Sequence, residues 1–434
     1  MAFGELRFMT ARAAHSKGNR QLERPLSGVE RMMYLGSERT TANGFSCVSL
    51  RGPFDEAKLR LALDRLPRRH PLLSARVLRK GDVLTFTTEA VPPISLRLIA
   101  DDGSGQTFLE VAAAELVTPL DRTTGPLTRF TLVRHPDGER MDLIMTVDHA
   151  IADGTACLYA MRDLLTSDGS LEIEPPPLPP PITQLFPAPV AAAEPSLAVP
   201  PDPRAQSTSM FSVSTSDIAI TSAKLASEPT RALAQRCRER GVTVHAAVCA
   251  AFGESFAAVS EDKTKVIISS PVSYRHRLDP GVRDMVSCNV AFTEVHVDLS
   301  PPTSLWEQAR AVRQQLLEGT TDQKLFAFSF AIEEASQAER DDARFLYRAR
   351  RLAKSYDISI SNLGRRPIPG RYGDLTIEAI HFGAVLPGDI AINLLTLDEA
   401  MCITLVTSGL SRAANDAARR MVTSGLSRLS AQPP

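Results

Sequence analysis

The chain has 434 residues, 43% of them hydrophobic, which is length enough for two or three ordinary globular domains with sizeable cores. Its 49 basic and 50 acidic side chains leave a net charge of −1, so it carries no global basic field for nucleic acid and no polybasic cluster for an anionic membrane. Six cysteines are scattered without a CxxC pair, which excludes a secreted disulfide framework and points to reduced thiols in a cytoplasm.

Residues 1–22 contain Arg7, Arg12, Lys17 and Arg20 but no apolar run of signal-peptide length, and read as a loose arm. No later stretch is long enough to span a membrane. An N-terminal lobe is expected over 23–174. In it Ser27 can cap a helix holding Val29, Met32, Met33 and Leu35; Gly44 to Leu50 reads as a strand; Asp55 to Leu66 reads as an amphipathic helix. Leu73 to Leu78, Leu84 to Thr88 and Leu127 to Arg134 are expected strands, with a helix from Thr107 to Val117. Met141 to Val147 then mixes apolar residues like a buried strand, and Thr155 to Leu165 has helical spacing.

Prolines crowd from Pro175 to Pro203 and alanines replace large apolar residues, so 175–216 reads as a linker. The C-terminal lobe, 217–434, is expected to hold helices at Thr230–Glu239, Thr243–Val259 and Thr303–Leu317. Its expected strands are Lys265–Pro271, Val286–Leu299, Tyr356–Asn362, Ile390–Thr396 and Met401–Val406, before a closing helix near Ala413–Leu429. A heptapeptide, Val406 to Arg412, recurs at Val422 to Arg428; one copy meets a strand end and the other a helix, so it is no architectural repeat. Two mixed α/β halves joined by a linker imply a cleft between them, a preferred place for a small molecule.

Between the buried strand and its helix lies Val147-Asp148-His149-Ala150-Ile151-Ala152-Asp153-Gly154, an HxxxDG turn. A strand-to-helix turn holds an imidazole at the end of a rigid element, and Gly154 is expected to relieve a steric limit on the backbone. An imidazole near neutrality can take a proton from an attacking hydroxyl and return it to a leaving group, contributing roughly 10²–10⁴-fold in rate. Asp153 reads as a support that binds an arginine from elsewhere and locks the loop. His149 and Asp153 alone are too few ligands for a metal, and no third is positioned by sequence, so no metal is expected. Asp148 reads as a solvent-facing acid at a strand end. Cys157, roughly two turns away from His149, reads as a packed small hydrophobe rather than a nucleophile.

With Arg69-His70-Pro71-Leu72-Leu73 upstream and Pro271-Val272-Ser273-Tyr274-Arg275 downstream, the HxxxDG turn resembles the CoA-dependent acyltransferase superfamily. That group includes chloramphenicol acetyltransferase, plant BAHD acyltransferases, condensation domains and mycobacterial polyketide-associated acyltransferases. The similarity of order and spacing runs from about Leu22 to the C-terminus. It implies an α/β fold of two chloramphenicol-acetyltransferase-like lobes with mixed sheets, His149 midway along a tunnel between them. It also implies acyl-CoA or an acyl-carrier protein as donor, its CoA or phosphopantetheine thioester being a co-substrate, with no permanently bound cofactor.

Two departures bear on the reaction. Condensation domains carry HHxxxDG, and Asp148 stands here at the first of those histidines. The plant-type DFGWG is absent, and Ile358 to Gly364 resembles instead the SNLG segment of stand-alone microbial O-acyltransferases. Both favour ester over amide formation. Arg275 matches the arginine of the family's PV-x-x-R segment and is the expected partner of Asp153, against Arg277 and Arg283. Ser361, Asn362 and Asn289 are candidate contacts to the oxyanion or acceptor. His70 reads as a turn residue, and His245, His276, His296 and His381 show no ligand spacing.

The expected activity is transfer of an acyl group from a thioester to a hydroxyl of a small hydrophobic natural-product or lipid acceptor, in a direct ternary complex with His149 as base. The competing readings are a free-standing condensation enzyme with a carrier-bound donor and a catalytically silent carrier-binding module.

Overall fold

The apolar run around Leu143 becomes the strand Arg140–Asp148, buried at every residue after Arg140 because it lies inside a sheet covered on both faces. The computed structural model describes residues 23–37, 43–101, 103, 107–166, 176–186, 218–260, 263–300, 303–352, 356–365, 368–385 and 390–431. The proposed N-terminal arm and most of the proposed linker, 187–217 included, lie outside the described residues.

Two six-stranded mixed sheets organise the chain. In the first the order is Arg371–Tyr372, Leu375–Ala384, Asn43–Arg51, Arg140–Asp148, Thr128–Arg134 and Leu96–Ala100. In the second it is Val290–Asp298, Lys265–Ser273, Ile358–Arg365, Ile390–Leu397, Ala400–Thr407 and Ala219–Leu225. Three of the ladders are parallel, Leu96–Ala100 on Thr128–Arg134 and Ile358–Arg365 on both its neighbours. A small antiparallel sheet joins Glu23–Pro25, Val83–Thr87 and Arg76–Lys80. The expected two-lobed architecture with mixed sheets is what the chain forms.

The halves exchange elements. Leu375–Ala384 leaves the second half and pairs antiparallel with Asn43–Arg51, Phe382 opposite Ser46 and His381 opposite Cys47. The helices Asp322–Ala338 and Asp342–Leu352, which carried no clear signal in the sequence, pack on the helix Gly28–Gly36. There Arg31 donates to the carbonyls of Ser336, Glu339 and Arg340 and to the Asp342 carboxylate. Ser27 does cap Gly28–Gly36, with Glu30 completing a capping box, a device worth about 1 kcal/mol.

Two expected strands are shorter than their apolar runs. Leu73 to Leu78 is divided, because Pro71 starts a 3-10 turn, Pro71–Ser74, and extended backbone begins only at Arg76. Val286 to Leu299 becomes strand only from Val290, because polar groups of the candidate site claim the backbone of Met285, Ser287 and Asn289.

Candidate active site

His149 follows directly on the central strand, and the turn Asp148 to Gly154 leads into the helix Gly154–Thr166. Both ends of this turn are pinned by buried carboxylates. Asp148 is not solvent-facing, as its place at a strand end suggests; it is fully buried, accepts from the Ala150 N–H at 2.9 Å, and meets Arg122 in a 2.6 Å ion pair. Arg122 in turn donates to the Tyr34 carbonyl and lies over the Tyr34 ring. A buried carboxylate stays charged only when paired in this way.

Asp153 pins the other end. Its Oδ1 accepts from the Ala156 N–H at 2.8 Å, capping the helix, and its Oδ2 accepts from Arg275 Nη2 at 3.1 Å and from the Asn289 N–H at 2.7 Å. Arg275, rather than Arg277 or Arg283, is the partner; it also donates to the carbonyls of Arg283, Met285 and Ser287. Arg277 pairs with Asp322. The turn that carries His149 is thereby tied to the segment Met285–Asn289 of the second half.

His70 ties the same two pieces a second time. Its ring is completely buried; Nδ1 accepts from the Val286 N–H at 3.2 Å, which leaves the proton on Nε2 to donate to Asp163 on the Gly154–Thr166 helix at 3.1 Å. Burial holds this imidazole below its ordinary range, opposed by the bond to Asp163. His70 does stand in the turn before Pro71, as expected, and its ring adds a tie that the turn alone did not suggest. Periodicity could not reveal the contact, because Val286 lies 216 positions away in sequence.

Gly154 is needed for a different reason from the expected one. Its backbone is not in the left-handed region. A Cβ there would lie 3.1 Å from the Phe382 ring and 3.4 Å from a Leu363 methyl, so glycine allows close packing against strands from the second half. Through Leu363, the SNLG segment reaches the HxxxDG turn.

The remaining candidates differ in what they can offer. Asn362 Oδ1 accepts from the Gly364 N–H at 2.8 Å, leaving its amide nitrogen as donor, and Ser361 lies opposite Asn393 in the sheet. Asn289 is partly engaged: its amide nitrogen donates to Ser287 Oγ and its oxygen accepts from Tyr274 at 3.2 Å. The second N–H of that amide remains available as a donor. Cys157 is buried, and burial pushes its thiol up to about 12, so at neutral pH it is a protonated packing group. The Nδ1 of His149 is buried and has no hydrogen-bond partner among the described residues. Beside the turn, a small cavity of about 20 Å³ is bounded by Ala150, by Val29 and Met33 of the first helix, and by Ser287 to Val290.

Residues 214–394 match the family model described as phthiocerol/phthiodiolone dimycocerosyl transferase C-terminus. The whole chain is similar in structure to TRI3 trichothecene 15-O-acetyltransferase from Fusarium sporotrichioides, at 14% identity over 96% of this chain and 97% of that one, with a TM-score of 0.73. It is similar to the first condensation domain of the CDA synthetase at 15% identity, covering 95% and 97%, TM-score 0.68. For polyketide synthase associated protein 5 from Mycobacterium tuberculosis the values are 15%, 96% and 100%, and 0.64. No curated protein sequence matches the chain. At these identities the likeness is one of fold. Together with the family match, it shows the resemblance to the CoA-dependent acyltransferase superfamily read from HxxxDG, RHPLL and SNLG. Among the described residues no helix is long and apolar enough to cross a membrane.

Proposed function

We propose that this chain, with an acyltransferase-type fold and family match, forms esters by moving an acyl group from a thioester to a hydroxyl of a small hydrophobic acceptor. The observation that carries the reading is the double pinning of the His149 turn, by Asp148 to Arg122 and by Asp153 to Arg275, next to an inter-lobe cavity. Such pinning fixes an imidazole against a reacting group within the narrow tolerance that proton transfer needs.

With Nδ1 enclosed, Nε2 is the nitrogen left to meet a substrate. It takes the proton of the acceptor hydroxyl as the oxygen attacks the thioester carbonyl carbon. The tetrahedral oxyanion collapses, the C–S bond breaks, and the same nitrogen returns the proton to the departing thiolate. The products are an ester and a free thiol, with no acyl-enzyme. Asn362 Nδ2 and Ser361 Oγ are the donors we assign to the oxyanion or acceptor. Ester formation is favoured over amide formation by Asp148, whose place in the buried ion pair leaves no second imidazole at that position.

The test follows free-thiol release from acyl-CoA and acyl-carrier substrates with candidate alcohols and amines, using wild type and His149→Ala. The expected result is ester product and a loss of roughly 10²–10⁴-fold in the variant. Equal rates in the two proteins reject the base. Turnover with amines alone, or only with loaded carrier protein, replaces the reading by that of a condensation enzyme. Trapping an acylated serine or cysteine during turnover rejects the direct mechanism.

A further inference from the structure

The small cavity beside Ala150 lies where three pieces of the chain meet. One is the helix Gly28–Gly36 with its cap Ser27, the second is the segment Ser287 to Val290, and the third is the helix Asp322–Ala338, which contributes Ser329. At about 20 Å³ the cavity is too small for an acyl chain or a ring, but it exceeds the ~10–15 Å³ that one water molecule requires.

The polar groups around it have bonding capacity to spare. Ser329 is only 5% exposed, and its hydroxyl has no hydrogen-bond partner among the described residues. The Asn289 amide spends one N–H on Ser287 Oγ and keeps the other. Ser287 Oγ accepts that bond, which leaves its own O–H to donate. Glu30 Oε2 accepts from Arg24 and from the Ser27 N–H, whereas Oε1 accepts from Arg24 alone. A buried hydroxyl or amide without a partner is costly, and a buried water typically makes about three hydrogen bonds to such groups. An apolar occupant would leave these groups unpaired, and the Glu30 carboxylate opposes an anion. Water, which both donates and accepts, matches the mixture.

We infer that this cavity is a binding site for one water molecule, which accepts from the Asn289 amide and bonds the Ser329 hydroxyl. It ties the helix Asp322–Ala338 to the segment that pins the HxxxDG turn, because the Asn289 backbone N–H holds Asp153 Oδ2 at 2.7 Å. Ser329 is then a positioning residue that acts on Asn289 through the water. The site stands on packing and hydrogen bonding alone, so it does not depend on which reaction His149 serves.

High-resolution diffraction from wild type and Ser329→Val tests the site. In the wild type one ordered water is expected within hydrogen-bond range, ~2.6–3.2 Å, of Ser329 Oγ and Asn289 Nδ2. In Ser329→Val, whose methyls fill the space and remove the hydroxyl, it should be gone. A wild-type structure with no water there overturns the site, even where valine prevents folding. A water held unchanged in Ser329→Val overturns the role of Ser329. Amide hydrogen exchange in solution, read on wild type and Ser329→Ala, tests the positioning. The Asn289 amide is expected to exchange about fivefold faster in Ser329→Ala, the effect of one lost hydrogen bond, with the strand Arg140–Asp148 unchanged. Exchange unaltered at Asn289, or raised equally along that strand, overturns the positioning role. Neither readout uses turnover, so a protein without acyl-transfer activity decides the matter as well as an active one.

Discussion

Arg275 and Asp153, 122 positions apart, form a buried 3.1 Å ion pair in which the guanidinium also donates to three backbone carbonyls and the carboxylate also accepts from two backbone N–H groups. Removing one partner therefore strands a buried charge. Asp153→Ala is expected to cost about 3–5 kcal/mol in stability. Asp153→Asn, which can still accept from Ala156, should cost less. Urea unfolding at constant pH measures both. A loss for Asp153→Ala below about 1 kcal/mol, the range of exposed pairs, would contradict the assigned role.

Gly154 opens a helix, where alanine is intrinsically preferred by up to about 1 kcal/mol. Packing opposes this, because the Phe382 ring that an alanine methyl would press is itself only 5% exposed and cannot swing away. Gly154→Ala should be destabilising by roughly 1–3 kcal/mol, the usual cost of overpacking. Combining it with Phe382→Leu should recover part of the loss. A stabilised single variant would show that helix propensity outweighs the contact.

Cys157 lies on the helix behind His149, but its raised thiol makes it a poor nucleophile. Iodoacetamide at neutral pH, followed by peptide mass spectrometry, should leave Cys157 unmodified in the folded protein. Cys157→Ala should keep near-wild-type kcat. Loss of turnover in that variant, with folding intact, would reopen a covalent mechanism.

His381 stacks on Phe108, with Nδ1 3.1 Å from Thr404 Oγ1, and burial lowers its pKa to about 4 from an ordinary value of 6.5. The fold therefore favours the neutral ring. The associated stability is fully present above about pH 6.5 and is lost as pH falls from there through 4, by at most about 3 kcal/mol. His381→Gln should flatten the acid limb of stability against pH over that window. His245, lowered likewise to about 4, leaves a residual slope. An unchanged limb in the variant would mean that His381 does not drive it.

Much of the site was legible in sequence because its chemistry is local. The strand, turn and helix around His149 follow from an apolar run, a glycine and helical spacing, and the resemblance singled out Arg275 among three nearby arginines. Contacts without periodicity were hidden. Nothing in the spacing of Asp148 and Arg122, or of His70 and Val286, marks them as partners, since each pair meets only when separate elements pack.

Periodicity and turn chemistry marked many elements of both halves and the buried strand under His149, and the resemblance supplied the class of reaction worth testing. Tertiary structure decided the rest, as the repeated heptapeptide shows. At Val406 to Arg412 it ends a strand, turns at Gly409 with φ +68°, and enters a helix; at Val422 to Arg428 it is helical throughout. Its glycines serve different ends, left-handed backbone at Gly409 and contact with the Phe252 ring at Gly425. In the same way, the pairing of Leu375–Ala384 with the sheet of the first half was settled by which apolar faces could be buried together. Burial free energy depends on the surface met in three dimensions, which lies beyond the local pattern.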